Sequence, residues 1–509
     1  MTQCRRFEAF PAKLLLPFGF NIRPSPRSRP MGPSAMPVRR QTFTARFMPS
    51  FGRRLGEFLT RPAALIVALV ASVAPSAQAQ FGGGFQRNVG GVMVDAQGVL
   101  QAATLDQRQA DLALLRQRVG RPEGEVANAA PLRMVSLSKL QQAIEELTTQ
   151  GKPLSDEIRY LAGLQRIEFV FVYPDRNDIV LAGPAEPWVV RDDATVVGAE
   201  SGNPVIQLDD LIVAFRSVET ARTEGITCSI EPTPEGRKQL ENLLKRVSLG
   251  PGQNPASLEP AMRQAFGPQL IKLTGVPETS RYARTLVAAD YQMKRLGMGL
   301  EEAPITGLPS YLKLSRTQRH SAQSNPRWWM ACNYDALSHD DDKLAWRIAG
   351  QGVKTLAETD LVLADGRLQR DQKTDKNATR WATLMTERFQ DLAKAQAVFG
   401  ELRNCFDLSV VATLIVQEEL ARRAGCDLSL LFGQSGQRAL DAELTTLPPP
   451  RTVDPQCSFI RGTSGWIVTA SGGVDVNAFE VVESQQLDPT LAQNRSEALA
   501  TDENWWWNG

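Results

Sequence analysis

The chain has 509 residues, with 57 lysines and arginines against 56 aspartates and glutamates, two histidines and six cysteines. That length suits two or three domains, and an apolar share of 42% with 22% charged residues excludes wholesale disorder. Two histidines leave little room for histidine-rich metal sites or Ser-His-Asp catalysis, and the near-neutral total does not describe a nucleic-acid binder.

The neutrality averages unlike parts. Residues 1–61 carry twelve basic side chains and two acidic ones, Glu8 and Glu57; the remainder holds 45 basic and 54 acidic residues, a net of −9. The basic stretch leads into Ala63–Ala74, apolar but for Ser72, then Pro75 and Ala77-Gln78-Ala79. A basic start, a short apolar run and an A-x-A end are the three parts of a secretory signal, and the apolar run is shorter than the roughly 20 residues that span a bilayer. The expectation is export to the periplasm or beyond, with membrane contact only during export. Cleavage after Ala79 leaves 430 residues from Gln80. Signals usually run about 15–30 residues, so Met48 is the better start, and residues 1–47 read as a disordered leader or as lying before the true start. Arg53-Arg54 suggests a twin-arginine signal, but Leu55-Gly56-Glu57 continues it poorly.

In chain order, Gly91–Val94 and Gly98–Leu100 predict a hairpin around Asp95-Ala96-Gln97, and helical patterning then runs to Leu164, with Ser155 as a helix cap. Ile167–Tyr173 and Asp178–Leu181 predict a second hairpin, Ile226–Ile230 a strand, and Thr233-Pro234 the start of a helix reaching Val247. Leu249–Pro260 reads as a linker. Beyond it come strand Leu270–Leu273, a helix from Ser280 to Leu296, and a hairpin of Trp328–Tyr334 with Lys343–Ile348. Two long helices broken near Gly400 fill 377–425, Leu447–Val453 is a second linker, and Ser458–Arg461 pairs with Gly465–Ala470. The irregular alternation predicts a mixed α+β fold: a first lobe at 80–248 and a second at 261–479, each running strand, helix, hairpin. The acidic tail 480–509 ends in Trp505, Trp506 and Trp507, which either tuck against the body or dock on another envelope protein.

Five cysteines follow the signal: Cys228, Cys332, Cys405, Cys426 and Cys457. The count is odd and contains no C-x-x-C, so buried thiols are favoured over a disulfide; on one straight helix Cys405 and Cys426 would lie about 30 Å apart. No metalloprotease, nucleophile-elbow or phosphate-loop motif occurs, and neither a cofactor nor a metal is expected. Ser136/Lys139 and Ser310/Lys313 fit Ser-x-x-Lys, and Ser201-Gly202-Asn203 fits Ser-x-Asn, but Lys272-Leu273-Thr274-Gly275 is one residue too long for the third element of penicillin-binding enzymes. His339-Asp340-Asp341-Asp342 lacks calcium-loop spacing and reads as a solvated turn. On the helix from Ser280, Tyr282, Leu286, Ala289, Met293 and Leu296 form an apolar stripe beside Asp290. Arg281, Arg284, Lys294 and Arg295 surround that stripe. The segment is either an anion or carboxylate site, with Asp290 as acid or base, or a helix whose Asp290 pairs with Lys294.

Tyr282-Ala283-Arg284, Ala288–Lys294 (AADYQMK), Gly307–Tyr311 (GLPSY), Asp178–Glu186 (DIVLAGPAE) and Phe399–Asn404 (FGELRN) give the chain a resemblance to an uncharacterised secreted family, a domain of unknown function best known from planctomycete bacteria. The resemblance covers most of 90–478 and implies export but no activity. The functional expectation is a non-catalytic envelope protein binding another protein or a surface polymer, with Arg281, Arg284 and Lys294 as ligand contacts. The alternative is a glycosidase-like periplasmic hydrolase with Asp290, Glu301 and Glu302 as its carboxylates.

Overall fold

The computed structural model describes residues 88–247, 255–315, 324–362, 368–370, 375–462, 465–498 and 507–508, all inside one compact unit spanning Pro75–Gly509. Residues 1–79, with the expected signal, lie outside the described residues, as do Trp505 and Trp506.

Strands β1 (Val92–Val94) and β2 (Val99–Ala102) form the first expected hairpin, its turn held by Asp95, which accepts from the amides of Gln97 and Val99. Helix α1 (Leu105–Arg118) opens with a capping box between Thr104 and Gln107. The helical pattern expected to reach Leu164 is interrupted by strand β3 (Ala130–Ser136), ahead of α2 (Leu137–Thr149) and the short α3 (Asp156–Arg159). Pro131 and Arg133 break the alternation that would have marked β3, yet Arg133 is buried there. Strands β4 (Phe169–Tyr173) and β5 (Asp178–Ala185) make the second expected hairpin, with Asn177 left-handed at φ 50° in its turn. Then come β6 (Trp188–Val190), β7 (Val196–Gly198), α4 (Leu208–Glu224), β8 (Ile226–Pro232), and α5 (Pro234–Arg246) capped by Thr233. The expected 249–260 linker overlaps the start of α6 (Glu259–Phe266), which precedes β9 (Gln269–Thr274), α7 (Arg281–Gly297) and α8 (Tyr311–Ser315).

The expected pairing of 328–334 with 343–348 does not form. Strand β10 (Ser324–Asn333) pairs instead with β13 (Gly352–Val362), Trp328 opposite Ala357. Between them the chain leaves for a second sheet as β11 (Leu337–His339) and β12 (Ala345–Arg347), β12 lying against β4. Gly350, at φ +113°, brings it back where an added Cβ would sit 2.8 Å from the Tyr334 Cα. After β14 (Leu368–Arg370) come α9 (Lys376–Glu387), α10 (Phe389–Ala395), α11 (Ala397–Gln417) and α12 (Leu420–Ala424). The breaks fall at Arg388 and Gln396, not at Gly400. Gly400 is interior to α11, and its missing side chain admits Pro204, whose Cδ would lie 2.6 Å from an added Cβ.

The chain ends with α13 (Gln437–Glu443), β15 (Thr452–Val453), the expected hairpin of β16 (Cys457–Gly462) and β17 (Gly465–Thr469), then β18 (Ser471–Val476), α14 (Ala478–Glu483), β19 (Gln485–Leu487), α15 (Leu491–Ala498) and β20 (Trp507–Asn508). The acidic tail is thus partly structured: β19 pairs with β11, and the Arg495 guanidinium donates to Val172 O at 2.9 Å.

Two large sheets run through the described residues, one ordered β1-β2-β15-β9-β8-β18-β10-β13-β14 and the other β19-β11-β12-β4-β5-β3-β20. Both combine strands from either side of residue 249, so lobes 80–248 and 261–479 are not separate units of the fold. The class is mixed α+β. Helix α7 packs on β8 and β18, with α4 and α11 over it, and every residue of α7 but Arg295 is buried. Among the described residues no helix is long and apolar enough to cross a membrane.

Candidate functional site

Helix α7 decides where the chemistry sits, because it carries charge into the core at both ends. Ser280 caps it, its hydroxyl accepting from Ala283 N at 3.0 Å. Near the far end, the Lys294 ammonium donates to Asp290 Oδ2 at 2.9 Å, Ile230 O at 2.7 Å and Gly472 O at 3.0 Å, so all three of its donors are used. Asp290 also accepts from Ile230 N at 2.8 Å, and burial pushes its carboxyl up to about 6 despite the pull of Lys294. Lys294 and Asp290 are 1% and 0% exposed, so this pair braces the helix onto β8 and β18 out of reach of solvent.

At the near end the arrangement is incomplete. The Arg281 guanidinium bridges the carboxylates of Asp210, on α4, and Glu401, on α11, all three buried. Burial pushes Asp210 up to about 7 and also raises Glu401, both against the pull of Arg281. Burial would lower the Arg281 pKa, but the two carboxylates raise it above its ordinary value. One oxygen on each acid, Asp210 Oδ1 and Glu401 Oε2, has no hydrogen-bond partner among the described residues.

Three cavities with wall residues in common lie against α1, none of whose residues is buried. The middle one, about 90 Å³, is walled by Asn88, Asp111, Arg118, Tyr160, Arg281 and Glu401 among others. That exceeds the roughly 10–15 Å³ one water needs. Asn88 is 9% exposed, and neither its amide oxygen nor its nitrogen has a partner among the described residues. Arg118, Tyr160 and Gln207 continue into a cavity of about 360 Å³ that adds Asp156, Arg159 and Asp209. On the other side Thr195 continues into one of about 260 Å³, with Arg108, Asp193, Tyr291, Arg295 and Glu301 in its wall.

Of the ligand contacts expected from sequence, Arg281 alone borders this cleft. Arg284 donates to Pro448 O at 2.6 Å, and burial lowers its pKa to about 10; Lys294 is committed to its brace. The three expected carboxylates are not gathered. Asp290 is sealed, Glu301 accepts from Gln292, Gln396 and Arg295 at 2.6–3.1 Å, and Glu302, 90% exposed, meets Lys313 at 3.2 Å. The other motifs hold structure. Ser136 and Ser310 accept from the amides of Lys139 and Lys313, so Ser-x-x-Lys here is a helix-cap pattern. Ser201 accepts from Gln165 and from Asn203 N. The 339–342 turn is not wholly solvated, since buried Asp340 accepts from the amides of Leu344 and Ala345. Cys228, Cys332, Cys405 and Cys426 are free thiols; the Cys457 side chain lies outside the described residues. Trp507 extends the second sheet opposite Val135, with the Arg133 guanidinium 5.4 Å from its ring centre. Among the described residues no group of three or more His, Cys, Asp or Glu is placed to hold a metal ion.

Asn88, Asp210, Glu401 and Tyr160 are the site residues that sequence reasoning missed. A signal existed for one of them: Asp209-Asp210 stand in the first turn of the apolar helix α4, the place where acids mark a helix start.

Residues 228–311 match the model of a family described as a protein of unknown function (DUF1598). The match contains β8 from Cys228 onward, β9 and α7 with the Asp290–Lys294 brace and Arg281, and the strings at 282–284, 288–294 and 307–311; those at 178–186 and 399–404 fall outside it. No curated protein and no solved structure matches the chain.

Proposed function

We propose that the protein is an exported, non-catalytic component of the cell envelope that holds an envelope protein or surface polymer in the cleft beneath α1. The observation that carries this reading is the buried, unpartnered polar surface of Asn88 and Glu401 in the wall of a cavity that shares its wall with a larger one on either flank. A buried polar atom without a partner costs about 1–3 kcal/mol, and a ligand that supplies the missing partners recovers it on binding. The sequence 48–79 supports export, and the wider resemblance over 90–478 points the same way. Catalysis by Asp290, Glu301 and Glu302 finds no support in their placement, because they share neither a partner nor a cavity.

The test is co-sedimentation of the purified protein with envelope fractions of its own cell, alongside Asn88→Ala. Retention of the parent with at least tenfold weaker retention of the variant supports the reading; no retention, or equal retention of both, refutes it. N-terminal sequencing of the protein recovered outside the cytoplasm tests export. Gln80 as first residue is the expected result, and recovery solely from the cytoplasm contradicts it.

A further inference from the structure

The wall of the cleft is balanced in charge along its length. The middle cavity pairs Asp111 and Glu401 with Arg118 and Arg281. One flank sets Asp156 and Asp209 against Arg118 and Arg159, and the other sets Asp193 and Glu301 against Arg108 and Arg295. A polyanion would meet no excess of cations in any of the three, and a polycation no excess of acids. The groups themselves are planar and bidentate, carboxylates that accept and guanidiniums that donate, and both flanks include a tyrosine, Tyr160 or Tyr291.

The groups left unpartnered sharpen the choice. Asn88 offers one buried acceptor and one buried donor side by side, and Glu401 Oε2 offers a further acceptor. A hydroxyl both donates and accepts at a single atom, so neighbouring hydroxyls can satisfy all three, which an ammonium or a phosphate cannot. The middle cavity shares Leu115, Arg118, Tyr160 and Gln207 with one flank and Thr195 with the other, and the two flanks share no wall residue, so the three adjoin in a row. That form suits a chain of repeating units better than a compact ligand.

Resting on the reading that the cleft beneath α1 is the binding site, we propose that its occupant is an uncharged glycan chain, gripped in the middle by Asn88 and Glu401 and laid along the flanks through Arg159 on one side and Arg295 on the other. Glu401 and Asn88 act as binding residues; no bond is made or broken.

Titration calorimetry of the full chain tests this with cello-, manno- and chito-oligosaccharides of two and six units, oligogalacturonate of six units, and neutral polysaccharide freed of protein by protease from the cell's own envelope. The expected result is binding of a neutral hexamer or of the neutral envelope polysaccharide. Where a hexamer binds, its dimer binds at least tenfold more weakly, and Asn88→Ala binds at least tenfold more weakly than the parent. Glu401→Gln disturbs the Arg281 pair, so Arg118→Ala, exposed on α1, serves as the variant that keeps the core intact; a three- to tenfold loss is expected there. Binding of oligogalacturonate alone, equal affinity for dimer and hexamer, unchanged affinity in Asn88→Ala, or no binding to any neutral glycan overturns the proposal. If an envelope protein is retained by co-sedimentation while no glycan binds, the cleft remains a binding site and the glycan is excluded. If no envelope fraction is retained at all, the broader reading fails with it.

Discussion

The two ends of α7 carry the same kind of feature, a buried cation set against buried acid, and differ in how completely it is satisfied. At Lys294 every donor has an acceptor, and Lys294 is in the wall of none of the three cavities. At Arg281 two acids from two other helices share one guanidinium, each keeps an oxygen unpartnered, and Asn88 adds an unpartnered amide across the same cavity. Asp290 Oδ1 and Asp210 Oδ1 also lack partners, yet neither residue lines any of the three cavities, whereas Glu401 and Asn88 do. Burial of charge therefore does not by itself mark a site. Unsatisfied polar atoms facing space that a ligand can enter do.

The largest expected effect belongs to the sealed end. Lys294→Met leaves Asp290 as an uncompensated buried carboxyl and should cost about 3–5 kcal/mol in urea unfolding, most of it restored when Asp290→Asn is added. Arg281→Met should cost less, about 1–3 kcal/mol, because Glu401 borders a cavity that can hold water. Equal costs at the two ends would break the comparison.

The pH dependence of stability comes next. Asp210, pushed up to about 7 by burial, binds its proton more tightly folded than unfolded, where a carboxyl titrates near 3.9. Its contribution is fully present below about pH 4 and is lost as pH rises through about 7. Asp210→Asn should therefore gain stability relative to the parent between pH 5 and pH 8; a constant difference over that range would contradict the assignment. The smallest effect is expected on α1, where Arg116, 53% exposed, meets Asp192, 92% exposed, at 2.7 Å. Arg116→Ala should change stability by less than about 0.5 kcal/mol, and a larger loss would mean that α1 carries the core rather than covering a cleft.

Much of the fold was legible where local chemistry spoke alone. The hairpins at 92–102 and 169–185 were marked by their turns, and α7 by its Ser280 cap and apolar stripe. The sequence misled where long-range packing ruled. Gly400 looked like a helix break and is a seat for Pro204. Strand β3 contains Pro131 and Arg133, and β10 passes over its near neighbour to pair with β13. The site was harder still, because α4, α7, α11 and the segment at Asn88 each bring a residue or two from about 70 to 120 positions apart in the chain. Arg281 was recognisable as a cation in a crowded segment. That its acids would be Asp210 and Glu401, rather than Asp290, depends on the stacking of three helices, which no spacing in the sequence records.

Hydrogen exchange of the full chain, measured with and without its envelope fraction, tests the division between brace and site most directly. The account predicts slower exchange at α1 and at residues 193–196 when the fraction is present, with strands β8 and β18, which receive the Lys294 brace and line none of the three cavities, unchanged. No protection at α1, or protection confined to β3 and the Trp507 strand, would contradict it.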